Sequence, residues 1–144
     1  ITELSSDKEE LTETVEMAAI LKAVNVSAIA INRRGKEVSK IKKMEKIKVC
    51  FTIRENVVAK AGSRDIYMRI SKPDGLVIID NAQHQFSYEG NQIAYTSKRN
   101  LNYNNKDVDF CFYWNKKQEL LEGEYKIDLF ADGHKIGQTS LYLK

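Results

Sequence analysis

The chain has 144 residues, 23 of them basic and 20 acidic, for a formal charge of +3. That length holds one domain, or one domain with an appendage, and 42% apolar with 30% charged residues can fill a core and still dress a surface, which excludes a disordered chain. No apolar run nears the roughly 20 residues of a helical bilayer crossing, and no basic-then-apolar leader opens the chain. Because it starts at Ile1 rather than Met, we read it as a trimmed or processed piece, with any membrane attachment in an upstream segment.

The first 22 residues lack Gly and Pro and set Leu4, Leu11, Val15, Ala18 and Leu21 on a seven-residue rhythm, so a helix is expected over residues 1–22. Ser6 and Glu9 fit the capping box, in which two side chains satisfy free N–H groups at a helix start. Its heptad seam is thin, with Asp7 and Thr14 where apolar partners belong. The helix is therefore read either as the end of a coiled-coil stalk, able to join copies into a homo-oligomer, or as a helix packed on the domain.

Past Ala23 the apolar spacing drops to every second residue and stays there, so residues 23–144 are expected to form one β domain. Strands are expected at Val24 to Ile31, Lys46 to Arg54, Arg64 to Ser71, Leu76 to Asp80, Val108 to Trp114, Glu124 to Ala131 and Ile136 to Leu143. A weaker hairpin is expected within Gln85 to Ser97, turning at Glu89-Gly90-Asn91. Lys72-Pro73-Asp74-Gly75 is a turn because Pro fixes φ and Gly accepts positive φ, and Asp132-Gly133 is a tight hairpin link for the second of those reasons. Seven or eight strands with no helix between them point to an antiparallel sandwich.

Leu120-Leu121-Glu122-Gly123-Glu124-Tyr125 resembles the approach to the penultimate strand of immunoglobulin-like and fibronectin-like sandwiches, where a Tyr bonds back to the backbone as a tyrosine corner. By that resemblance Tyr125 is the corner and the last two strands are F and G. Counting backward, Val108 to Trp114 is E, Arg64 to Ser71 is C and Lys46 to Arg54 is B. The Cys and Trp pattern of antibody domains is absent. Since the resemblance makes B and E neighbours, Cys50 and Cys111 could face each other and bond, or stay as two unpaired thiols; both readings are open. The polar helix followed by KIKVCFTI, DIYMRISKPDG and EGEYKIDLFADGHKIG is also similar to an uncharacterised group of bacterial envelope proteins with an N-terminal anchor, a coiled-coil stalk and a C-terminal sandwich. That resemblance implies a cell-envelope location.

Catalytic, cofactor and metal sites are not expected. Gly133 to Thr139 has three residues between its glycines where a phosphate-binding loop has four, and Gln follows where that loop has Lys. His84 and His134 sit beside turn residues and read as solvent-exposed, and two cysteines without nearby His do not make a structural zinc site. Charge is uneven: residues 1–16 carry six acids and one Lys, whereas residues 33–48 carry eight basic residues and two acids. With no aromatic interleaved among those charges to stack on bases, the segment reads as a solvated loop and no nucleic-acid partner is expected.

The aromatic residues offer two candidate surfaces. If Ile66, Met68, Ile70, Tyr125, Ile127 and Leu129 point inward, then Tyr67, Phe130 and Tyr142 lie with Arg69 and Asp128 on the outer face of the C-F-G sheet, an apolar stripe suited to a protein partner. Tyr88, Tyr95 and Tyr103, among the many amides of residues 86–105, could instead contact a glycan. The expected function is a non-enzymatic protein-interaction or scaffold module, envelope-associated, with a carbohydrate-binding module as the alternative.

Overall fold

Alternating apolar residues past Ala23 build two antiparallel sheets that press their oily faces together. The computed structural model describes residues 20–56 and 58–144. In these residues the strands are β1 (Ala23–Ile31), β2 (Glu37–Val38), β3 (Lys46–Ile53), β4 (Gly62–Ser71), β5 (Gln85–Tyr88), β6 (Asn91–Ala94), β7 (Ser97–Tyr103), β8 (Val108–Asn115), β9 (Gly123–Ala131) and β10 (His134–Leu143). The first sheet has the order β2-β1-β3-β8 and the second β10-β9-β4-β7, with β5 and β6 as a separate hairpin. The chain is mainly β and sandwich-like, as the spacing predicts.

β3 shows why the layers form. Ile47, Val49, Phe51 and Ile53 are buried while Lys46, Lys48, Cys50 and Thr52 alternate with them on the outer face. Across the core stand Ile66, Met68 and Ile70 of β4 and Tyr125, Ile127 and Leu129 of β9, all fully buried, with Phe112 and Trp114 of β8 filling the first sheet's side. Each such side chain contributes about 1.5–3 kcal/mol by leaving water. The β9–β10 hairpin turns at Asp132 and Gly133 with φ of 53° and 76°, the paired positive values that let two residues reverse a twisted ribbon.

Several expectations are corrected. Of the helix predicted over residues 1–22, residues 1–19 lie outside the described residues; its last three, Ile20 to Lys22, are not helical, and Leu21 is buried in the core. Leu76 to Asp80 is no strand: it makes one bridge, Ser71 to Val77, and turns Ile78 inward. β2 and β7 were not expected. The first has only two residues, and Ser97 to Tyr103 offers just Leu101 and Tyr103 as apolar alternates amid Lys, Arg and Asn.

Candidate functional site

The stripe expected to meet a protein partner is roofed by the chain itself. Tyr67 and Phe130 do lie on the outer face of the second sheet, but the β5–β6 hairpin folds across them. Phe86 stacks on Tyr67 at 4.4 Å between ring centroids and meets Phe130 at 5.2 Å. Phe130 is 3% exposed, and Phe86, Tyr95 and Phe130 form a second, smaller core with Tyr67, Tyr88 and Ile93 against it. Arg69 donates from Nε to the Ala94 carbonyl at 2.7 Å, so it fastens the roof. Asp128 is paired with Lys135 at 3.0 Å, and of the five residues Tyr142 alone is largely exposed.

The tyrosines expected to meet a glycan are scattered. Tyr103 is fully buried in the main core, and its hydroxyl accepts from the Asn56 amide at 2.8 Å. Tyr95 lies under the roof with the His84 ring parallel to it at 5.1 Å, so His84 is half-buried rather than the solvent-exposed turn residue expected. Tyr88 packs edge-on against Phe130. No shared platform remains. His134 is exposed, and among the described residues no three His, Cys, Asp or Glu gather to hold a metal ion.

A different surface draws together side chains that are far apart in sequence. The outer face of the first sheet carries rows set by register: Ile31, Lys46 and Asn115; then Ile29, Lys48 and Tyr113; then Ser27, Cys50 and Cys111. Tyr113 is 48% exposed, and the Lys48 ammonium stands 5.8 Å from its ring centroid. One row along, Cys50 and Cys111 are directly opposite and are bonded as a disulfide, resolving the choice that the sequence left open. Thr52 donates to Asp109 at 2.6 Å in the next row.

The basic segment is held at the end of this face. Asn32 Oδ1 accepts from the amides of Arg34 and Lys36, which folds the first turn and presents Arg33 and Arg34 to water. Met44 anchors a second turn by burial and by its amide bond to the Lys40 carbonyl, leaving Lys40, Lys42 and Lys43 outside. Lys116 donates its amide to the Glu45 carbonyl, and Lys144 bonds backbone to Ser39 and Ile41, so further cations converge there. The ion pairs among the described residues use Arg64, Lys117 and Lys135, and none of the eight basic residues of 33–48. Between the second turn and the loop after β8 lies a cleft of about 590 Å³ lined by Ile41, Lys42, Lys116, Lys117, Gln118, Glu119 and Leu120.

Comparison with known proteins assigns the β domain to a family. Residues 23–144 match the model of a domain of unknown function, DUF8428. The chain belongs to the DUF8428 family. No curated protein matches it. Among solved structures, a Pseudomonas fluorescens alkylpurine DNA glycosylase, AlkC, bound to DNA containing an abasic site analog, is similar at 14% identity and a TM-score of 0.49, over 88% of this chain and 31% of that one. This DUF8428 chain thus spans about a third of that protein's length.

Three expectations are corrected on the geometry. The envelope-associated scaffold and the glycan-binding module are set aside, as is the exclusion of a nucleic-acid partner. The physical reason lies in the two surfaces: the stripe is roofed, and the aromatic ring thought missing from the basic segment is supplied by β8.

Proposed function

We propose that the chain binds single-stranded nucleic acid across the outer face of its first sheet and the basic loops at the end of that face. The observation that carries this reading is Tyr113: an exposed ring in register with Lys48, beside a segment with eight cations and two acids. Single strands are held by just these two features, cations that neutralise phosphates and aromatic faces on which unstacked bases lie. A duplex keeps its bases stacked inside and would leave the ring unused. The Cys50–Cys111 bond pins the two strands that carry the pair, so the ring and the ammonium meet a ligand already positioned.

The sandwich is further inferred to be immunoglobulin-like. Tyr125 donates its hydroxyl to the Leu121 carbonyl at 2.6 Å, as a tyrosine corner does. With β1, β3 and β8 as A, B and E, and β4, β9 and β10 as C, F and G, each strand pairs as the resemblance implies.

Fluorescence anisotropy with labelled oligonucleotides tests the binding. Affinity for a single strand should exceed that for the matching duplex and fall with salt, with a log–log slope of about −0.7 for each phosphate neutralised. Tyr113→Ala should weaken single-strand binding by about 1–3 kcal/mol while leaving the thermal midpoint in place, because the ring is half in water. A duplex bound as well as the single strand, or a Tyr113→Ala variant that binds like the parent, would overturn the reading.

A further inference from the structure

The cleft beyond the end of β8 has a composition of its own. Three of its lining residues are lysines and one is a glutamate, so the cleft suits an anion. Lys116 is half-buried, and its ammonium is fixed by donating one hydrogen to the Ile41 carbonyl at 2.9 Å. An ammonium has three such hydrogens, and two therefore remain to be directed at a bound oxygen. Lys42 is exposed across the opening, while Lys117, at the rim, also pairs with Asp80 at 3.5 Å. Ile41 and Leu120 give the same cleft an apolar wall, and its volume lies in the range of small-molecule sites.

We infer that this cleft binds a phosphomonoester, with Lys42 and Lys116 holding the phosphate and the wall of Ile41 and Leu120 receiving the group it is attached to. A phosphomonoester carries close to two negative charges at neutral pH, where an internal phosphodiester carries one, so Lys42 and Lys116, the two lining lysines outside the Asp80 pair, favour a chain end or a free nucleotide over the middle of a strand. Position favours the chain end. From Tyr113 to Lys116 is three residues, about 10 Å along an extended strand, so one ligand can lie on the ring and finish in the cleft. In this form the inference rests on the proposed nucleic-acid reading, whereas the phosphomonoester site alone does not.

The test has two arms on the full chain. In the first, amide resonances are followed by NMR during titration with adenosine 5′-monophosphate, adenosine and inorganic phosphate. The monophosphate should give saturable shifts at Lys42 and at Lys116 to Leu120, and adenosine should bind about tenfold or more weakly. Lys42→Gln, at an exposed position, should abolish most of the shift with the other resonances in place; Lys116→Gln should do the same. Equal shifts with adenosine, or shifts elsewhere, would overturn the site. In the second arm, oligonucleotides with a 5′-phosphate, a 3′-phosphate or neither compete for the chain. Preference for one phosphorylated end supports the chain-end ligand; equal affinity overturns it in favour of the free nucleotide. Failure of all three to bind, with the monophosphate still bound, removes the proposed function and not the cleft.

Discussion

Tyr125 shows how one side chain serves packing and chain direction together. Its ring is fully buried between the sheets while its hydroxyl reaches the Leu121 carbonyl, tying the loop before β9 to the strand it enters. Burial pushes the phenol pKa above its ordinary value of 10.0, with some help from the negative charge of Asp74. A raised pKa in the folded state means that the unfolded chain releases this proton first as pH climbs, so stability is lost once pH rises past about 10. Tyr125→Phe should cost about 1 kcal/mol at neutral pH and make the alkaline loss of stability shallower than in the parent, as read by urea unfolding at several pH values. The role of this residue was legible because a six-residue motif announces it. That of Tyr113 was not: the sequence places it 65 positions from Lys48, and only the register of β3 against β8 makes them neighbours.

Among the elements, β8 depends most on a covalent tie. Among the described residues it is the edge of the first sheet, paired by its ladder to β3 alone, and the Cys50–Cys111 bond closes a loop of 61 residues across that pairing. On the loop-entropy account this constrains the unfolded chain by about 4 kcal/mol, and replacing both cysteines with serine should lower stability by up to that amount in denaturant unfolding. Strands such as β3 and β9 could be read from sequence because burial on one face writes itself as strict alternation. β7 could not, since an edge strand with one wet face and only Leu101 and Tyr103 inside leaves too few apolar letters. Gly123 carries another such hidden constraint: at φ of 146° a Cβ there would lie 2.6 Å from Pro73 Cγ, a contact between two turns that no local pattern announces.

At the scale of the whole molecule, the described residues form one large core and one small one. The large core lies between the sheets; the small one lies between the second sheet and the β5–β6 hairpin, and its three buried members are Phe86, Tyr95 and Phe130. Local opening is set by how much apolar surface holds an element down, so the hairpin should open more readily than the sandwich. Native-state hydrogen exchange should find the amides of residues 85–94 exchanging faster than those of β3 and β9, and Phe86→Ala should widen that gap while the sandwich keeps its protection. The sequence predicted this hairpin but not its docking, because alternation says which residues share a face and not what comes to lie over it. The tie across β3 and β8 has a consequence for assembly as well. A border strand with a bare row of amides invites exchange of that strand between two molecules, yet here it is stitched to its own neighbour, so an intertwined pair could arise only from chains whose sulfur link has first been cut.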